Sequence, residues 1–221
     1  MKNLLIAVLC IFSMEAFTQV VDEETKRKFT FGLDVFSDIW QDVPETLDPK
    51  TLNTGVNIFG SYNYIFGNSN VSFSPGLGLS VHNLYSDSFL ENDVDTVYFV
   101  KIPEEVGYKK SKLTATYLDI PIEIRYKSKG DFRIAVGFKF GFLMKAQTKF
   151  KGDDIISGTT DQVIIKRARF DHVEKNRYGF TGRIGYKWLN FWGYYQLSTL
   201  FVEGNGPGMY PISLGISVIP F

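Results

Sequence analysis

"FRIAVGFKFGFLMK", residues 132–145, is the stretch whose reading decides the fold. Bulky apolar side chains fill its even positions: Phe132, Ile134, Val136, Phe138, Phe140 and Phe142, with Met144 extending the row. The odd positions hold Arg133, Ala135, Gly137, Lys139, Gly141, Leu143 and Lys145. A period of two is the signature of a β-strand, whose successive side chains point to opposite faces. One face is large and apolar, and the other is small or cationic. Which of them is wet depends on what the strand closes around.

The same alternation recurs along the chain and predicts eight strands, near 28–39, 52–66, 71–85, 115–126, 132–148, 176–188, 191–202 and 210–221. On the fourth, Leu118, Ile120, Ile122, Ile124 and Tyr126 alternate with Asp119, Pro121, Glu123 and Arg125. On the sixth, Tyr178, Phe180, Ile184, Tyr186 and Trp188 alternate with Arg177, Gly179, Thr181, Arg183, Gly185 and Lys187. An eight-stranded barrel has an interior just wide enough for its own side chains. Several bulky residues from each strand would overfill it. The face carrying Gly76, Gly78, Ala135, Gly137, Gly141, Gly179 and Gly185 is small enough to point inward. The apolar face must then look outward, and an outward belt of Phe, Ile and Leu requires lipid. A soluble lipocalin-like barrel would require the opposite arrangement.

Connection lengths agree with this. QDVPETLDPKT follows the first strand, then a tight GNSN, a long segment from Ser86 to Thr114, and a tight SKGD. A second long segment runs from about Lys149 to Lys175, followed by a tight Leu189-Asn190 and by EGNGPG. Short periplasmic turns alternating with longer outer loops are the ordering of an up-and-down transmembrane barrel. The expected fold is therefore all-β: an eight-stranded antiparallel up-and-down transmembrane β-barrel, with both chain ends on the periplasmic side.

Composition supports export and argues against nucleic acid. The 221 residues carry zero formal net charge, so no global field favours a polyanion. Aromatics make up 16%, with Phe (20), Tyr (12) and Gly (20) abundant, as long strands in a membrane would demand. The start, MKNLLIAVLCIFSMEAFTQ, has Lys2 before an apolar run too short to span a bilayer, then Ala16-Phe17-Thr18 as a cleavage site. Residues 1–18 read as a secretory signal peptide and 19–221 as an outer-membrane β-barrel domain, with a charged lead over 20–28. Cys10, the sole cysteine, lies in the signal, so the mature chain has neither an internal disulfide nor a thiolate metal site.

On the small face lie the acids Asp34, Asp38, Asp119 and Glu123 and the bases Arg125, Arg133, Lys139, Lys145, Arg177, Arg183 and Lys187. Charges in a narrow lumen are tolerated when paired, so a packed lumen ionic network with a basic surplus is expected. It is centred on Asp34, Asp38, Asp119, Glu123, Arg125, Arg133, Lys139 and Arg183. Phe29, Tyr64, Phe66, Tyr126, Phe132, Trp188 and Phe191 fall at periplasmic strand ends as a headgroup girdle, and Tyr85, Tyr178, Phe201 and Tyr210 would form the outer one.

Chemistry-bearing motifs are sparse. His82 has lumen-facing parity near the outer rim and could form a hydrolase site with Ser80 and Asp38. No nucleophile-elbow motif accompanies it, and a hydrogen-bonded lumen histidine is the plainer reading. His172 falls in an outer loop. Asp87, Glu91, Asp93 and Asp95 lack the ligand spacing of a calcium loop. EGNGPG has neither the Lys-Ser/Thr nor the helix of a phosphate loop. Catalytic residues, cofactor and metal are all expected to be none. Two basic clusters, Lys109, Lys110 and Lys112, and Lys166, Arg167 and Arg169, sit in the long outer loops, where lipopolysaccharide phosphates would suit them. QVIIKRARF, 162–170, reads as a strand extending beyond the membrane, with an edge open to a partner strand.

The signal ending before Gln19, the strand YLDIPIEIRYK at 117–127 and the terminal YPISLGISVIPF ending in Phe221 together resemble the PorT-like outer-membrane β-barrel family of the Bacteroidetes type. The resemblance covers the mature chain. It implies that Phe221 belongs to the strand signal read by the barrel-insertion machinery, with Ile212, Leu214, Ile216 and Val218 facing outward. It also implies an association with protein secretion. The expected partners are outer-membrane lipids, the insertion machinery and lipopolysaccharide or other envelope proteins, with no nucleic acid. The expected role is a plugged, non-enzymatic barrel acting through the loops 86–114 and 149–175. A narrow small-solute channel and an outer-rim hydrolase are the alternatives. Val97, Tyr98, Phe99, Val100 and Ile102, and Val163, Ile164 and Ile165, mark those loops for loop-on-loop packing or for a partner surface.

Overall fold

The computed structural model describes residues 22–154, 159–168 and 172–220. The signal peptide, Arg169 and Phe221 lie outside the described residues. A short helix α1 (Glu23–Lys28), capped by Asp22, replaces the irregular lead expected there. Twelve strands follow: β1 (Phe29–Gln41), β2 (Thr54–Tyr62), β3 (Tyr64–Ile65), β4 (Val71–Tyr85), β5 (Ser88–Asn92), β6 (Val97–Lys101), β7 (Tyr108–Lys127), β8 (Phe132–Asp154), β9 (Thr159–Ala168), β10 (Asn176–Tyr186), β11 (Leu189–Gln196) and β12 (Tyr210–Val218). Among the described residues no helix is long and apolar enough to cross a membrane.

Eight strands close into a ring. β1 pairs with β2, β2 with β4, β4 with β7, β7 with β8, β8 with β10, β10 with β11, β11 with β12, and β12 returns to β1, every pairing antiparallel. Closure removes the edges that an open sheet would expose in hydrocarbon. The three short turns fall at one end with the chain termini, as expected. The third is Lys187-Trp188 rather than Leu189-Asn190: Tyr186 pairs with Leu189, and Lys187 takes the positive φ (53°) that lets two residues reverse the chain.

The apolar face points out. Val136 is 59% exposed, Phe180 58% and Leu214 54%, while on the opposite face Ala135, Lys139, Asp119 and Glu123 are buried. Inward glycines are required by crowding. A Cβ on Gly137 would lie 2.2 Å from the Ile122 carbonyl oxygen, and one on Gly141 2.6 Å from Arg177 Nε. All seven expected periplasmic girdle aromatics are exposed. In the outer set Tyr178 is exposed, but Phe201 is fully buried. β11 ends at Gln196, and the chain beyond it folds inward over the barrel mouth, where Phe201 bridges Val173.

The largest departure from strict alternation is in the opening stretch itself. The β7–β8 register slips by one residue: Tyr117 faces Leu143, but Thr116 faces Lys145. Met144 is the extra residue, a β-bulge. Below it odd residues of β8 point inward; above it Ala146 and Phe150 are the buried ones. Lys145 is therefore exposed rather than in the lumen, and Lys187, in its turn, is exposed too. β7 and β8 run on above the ring, and β9 adds to them, Gln147 facing Ala168 and Gly152 facing Val163. The hairpin β5–β6 forms a separate two-stranded sheet in the 86–114 segment, which alternation did not reveal.

Placing arginine at Val136, on the lipid side, is expected to cost about 2–4 kcal/mol if the site lies near the bilayer midplane, measured by reversible unfolding from lipid vesicles. Gly137→Val is expected to hinder closure by clash, whatever the lipid. Water accessibility of a spin label at 136, with lipid accessibility at 137, would invert the fold.

Candidate functional site: a charged lumen and a ledge above its mouth

The lumen is filled by charge held in pairs. Arg183 on β10 grips Asp34 on β1 through both terminal nitrogens, donates to Ser217 Oγ at 2.7 Å, and places Nε 3.3 Å from Glu123 of β7. Arg125 Nε donates to the other Glu123 oxygen at 2.8 Å, and its Nη1 donates to Ser61. Asn57 completes Asp34 at 2.7 Å. A second tier joins Arg177 to both oxygens of Asp119 at 2.8 Å and to Ser80 at 2.6 Å, with Lys139 Nζ 3.4 Å from Asp119. Aromatic faces line the cations: Tyr117 lies 3.9 Å from Arg177, Tyr194 4.0 Å from Lys139 and Phe59 4.2 Å from Arg183. Buried ions need this density of partners, since each would otherwise lose several kcal/mol of hydration.

Of the eight residues expected in this network, Asp34, Asp119, Glu123, Arg125, Lys139 and Arg183 meet in these two tiers. Asp38 is buried one tier away with His82. Arg133 stands apart at the periplasmic mouth, with no ion pair among the described residues; it lines a cavity of about 360 Å³ there, along with Lys26, Arg27, Asn63 and Lys127. Arg177, which shares the inward parity, is the best-connected cation of the upper tier.

His82 and Asp38 do come together, Nδ1 to Oδ2 at 2.9 Å, with Ser213 donating to Asp38. Ser80 does not join them, because its hydroxyl accepts from Arg177. His82 Nε2 is buried with no hydrogen-bond partner, and the void beside it holds about 10 Å³, room for a single water at most. An aspartate–histidine pair is present without a nucleophile or space for a substrate.

Above His82 the mouth is covered by an apolar cluster. Leu84, Leu113 and Ala146 from the wall pack with Leu47, Leu90, Val97, Phe99, Val173, Leu200, Phe201 and Met209 from the connections. Part of the outer apolar content is thus loop-on-loop packing: Val97, Phe99 and Ile102 are buried, whereas Tyr98, Val100 and Ile164 are exposed. The acidic run does not converge. Asp87 accepts from the Asp48 N–H and the Ser88 hydroxyl, Glu91 pairs with Arg167 at 2.8 Å, and Asp93 accepts from the Val94 N–H. The EGNGPG loop packs against the cap, where a Cβ on Gly206 would meet Phe201 and Val97 at 2.7 Å.

The continued β7–β8–β9 sheet forms a ledge. Its inner side faces the β5–β6 hairpin, with Phe89 against Phe150 (ring centroids 4.8 Å apart) and Arg167 on Glu91. Its outer side carries lysines in register: Lys112 faces Lys149, which faces Lys166, and the next row pairs Lys110 with Lys151. Lys110 and Lys112 lie 5.0 and 5.5 Å from the Tyr85 ring. Partial burial, with Lys110 and Lys149 alongside, holds the Lys112 ammonium below the usual lysine range.

Comparison with known proteins bears on the chain's family, over wall and ledge alike. A family model described as "Outer membrane protein beta-barrel domain" matches residues 23–203. No curated protein matches. Among solved structures, a triple mutant of the Rh. blastica porin matches at 9% identity over 86% of this chain and 99% of its own, with a TM-score of 0.22, too slight a likeness to align the two barrels strand by strand.

Removing one partner of a buried pair leaves the other charge stranded, at roughly 3–5 kcal/mol. Asp119→Asn should therefore lower the unfolding midpoint in urea far more than Glu91→Gln, whose pair with Arg167 is half-exposed. Equal effects would refute the tiered lumen. At the rim, burial alone would raise the Asp87 carboxyl, but the Asp48 N–H, the Ser88 hydroxyl and Lys101 bring it below its ordinary value. A lowered folded-state value means stability that is present above the ordinary carboxylate range and lost as pH falls through the folded value. Protease nicking of segment 86–114 should rise on acidification, and should be pH-independent in Asp87→Asn.

Proposed function

Because this chain belongs to the outer membrane protein beta-barrel domain family, we propose that it is a closed, non-enzymatic outer-membrane barrel whose working surface is the ledge and hairpin above the mouth. What supports this reading is the pair of buried ion-pair tiers in the lumen and the apolar cluster above them. A solute crossing it would have to part buried ion pairs. The wall is accounted for by lipid and the lumen charges by one another. Ledge and hairpin are the parts with surface to spare.

In this reading residues 1–18 are the signal peptide and 19–221 the barrel, and Phe221 serves the insertion machinery. The resemblance to PorT-like barrels points the exposed surface toward a protein-secretion assembly. The outer edge of β9, which pairs with β8 on its other side, offers backbone to a partner strand. Partners of this kind are envelope proteins rather than soluble ligands.

Planar-bilayer recording of the purified protein is expected to show no stable large openings. Reproducible large conductance that changes with Arg125 or Arg183 substitution would support the channel alternative. The two outer segments should also differ on trimming. Replacing 153–169 by a tight turn should leave heat-modifiable folding intact and abolish complementation of a deletion strain. Replacing 87–106 should destabilise the barrel as well, because it removes Leu90, Val97 and Phe99 from the cap. Full complementation by the first variant would return attention to the lumen, starting with His82.

A further inference from the structure

We propose that the outward face of the β7–β8–β9 ledge binds the phosphate groups of glycolipid headgroups in the outer leaflet. The inference rests on the extracellular placement of the ledge in the reading above.

Three lysines, Lys112, Lys149 and Lys166, stand directly opposite one another across three strands, with Lys110 and Lys151 forming the next row. Like charges directly opposite on a sheet are destabilising. A solvated face ordinarily intersperses both signs in similar number, and this one sets five lysines against a single acid. Among the described residues none of the five forms an ion pair. The acid that shares their face, Asp153, is engaged by the Gly107 N–H and the Gln162 amide. Arg167 and Glu91 pair on the other side of the sheet and cannot serve. Lys112 Nζ donates to Asn83 at 2.6 Å, and Tyr85 lies beneath both Lys110 and Lys112, so part of the array is held in place before any ligand arrives. An array of five ammonium groups that form no ion pair among the described residues, with one acid on their face, is a receptor for a multiply charged anion.

The position selects the source of the phosphate. Directly below on the same outer wall lie exposed Phe142 and Met144, the top of the apolar belt. The Lys112 row is four residues up β7 from Thr116, which faces Lys145 at the bulge. At about 3.3 Å per residue and a tilt near 40°, that is roughly 10 Å above the belt, the depth of a phosphorylated headgroup whose acyl chains lie on Phe142 and Met144. A soluble anion would use the lysines and ignore the belt. A phosphorylated glycolipid uses both.

The test uses the full mature protein in mixed micelles, with bisphosphorylated lipid A, enzymatically dephosphorylated lipid A and inorganic phosphate as probes. Lys112→Gln/Lys149→Gln/Lys166→Gln is expected to weaken binding of bisphosphorylated lipid A at least tenfold. The corresponding triple arginine variant should retain it, and Lys129→Gln, in a periplasmic turn, should leave it unchanged. Dephosphorylated lipid A should bind the wild type as weakly as the phosphorylated form binds the glutamine variant. Inorganic phosphate at millimolar concentration should not compete. Equal binding by wild type and glutamine variant overturns the proposal. Displacement by inorganic phosphate also overturns it, by making the site a receptor for free anions. Heat-modifiable mobility establishes that each variant is folded, and the arginine variant keeps the question answerable if the glutamine variant is not. Labelling of Lys166→Cys in intact cells by a membrane-impermeant maleimide separates the two readings. No labelling sinks the extracellular placement itself, whereas labelling with unaltered lipid binding sinks only the phosphate site.

Discussion

The volume inside an eight-stranded ring is the constraint on which the rest depends. Such a ring has an interior just wide enough for side chains, so each strand can send in few large ones and must offset them with glycine or alanine. Gly141 makes way for Arg177, and Gly137 lets β8 lie close to Glu123 of β7. Once the inward face is small, the bulky residues have only one other direction, and their exposure is stable only in lipid. The same constraint explains why the lumen is ionic. Long cations reach carboxylates beyond the neighbouring strand: Arg183 of β10 crosses to Asp34 of β1, and Arg177 passes over Gly141 of β8 to Asp119 of β7. In a wider barrel these groups would remain apart and hydrated.

Much of this was legible in the sequence because a period of two and a volume limit are local and countable. The ring of eight follows from alternation, and the outward belt from alternation and the volume limit together. What alternation cannot show is where it breaks. The bulge at Met144 adds one residue to β8, and every side chain above it changes face. Lys145, assigned to the lumen by parity, is exposed for this reason. Lys149 and Lys151 follow it outward, while Ala146 and Phe150 turn in to meet the cap. No residue in the stretch announces the slip. β7 keeps its alternation past the slip, with Tyr117 and Ala115 both buried, and β8 alone takes up the extra residue. Phe201 escaped for a related reason: its strand-like surroundings gave no sign that the chain leaves the wall at Gln196 and covers the mouth.

The lumen site was half legible. Acid and base parity placed Asp34, Asp119, Glu123, Arg125, Lys139 and Arg183 on one face, and the structure joins them. The pairing could not be read, because strands adjacent in the ring are not the only ones that touch across a narrow bore: Arg183 and Asp34 lie 149 residues apart in sequence. Arg133 has the same parity but sits beside the turn at 128–131, where it shares a cavity with Asp131 and with Lys26, Arg27 and Lys127, away from the lumen carboxylates. His82 and Asp38 show the limit from the other side. Their meeting resembles half of a catalytic relay. Yet Ser80, two residues from His82 and on the same face, is committed to Arg177, so proximity on a strand did not become proximity of reacting groups.

The bulge also sorts the charges by environment. Below it, Lys139, Arg177 and Arg183 are buried on the inner face and ion-paired with Asp119, Asp34 or Glu123. Above it, Lys149 and Lys151 of β8 sit on the outer face, in register with lysines of β7, and Lys149 also with Lys166 of β9, and form no ion pair among the described residues. An inward run of Lys149 and Lys151 would have placed two more cations over a mouth that already holds Arg177 and Lys139, with no acid left to receive them. Turning the strand over by one residue avoids that burial, at the expense of a like-charged surface outside. Water and ions can screen such a surface, whereas the buried interior cannot be screened. One inserted residue therefore both closes the top of the barrel with apolar side chains and gives its outer wall, just above the lipid belt, a concentrated positive charge.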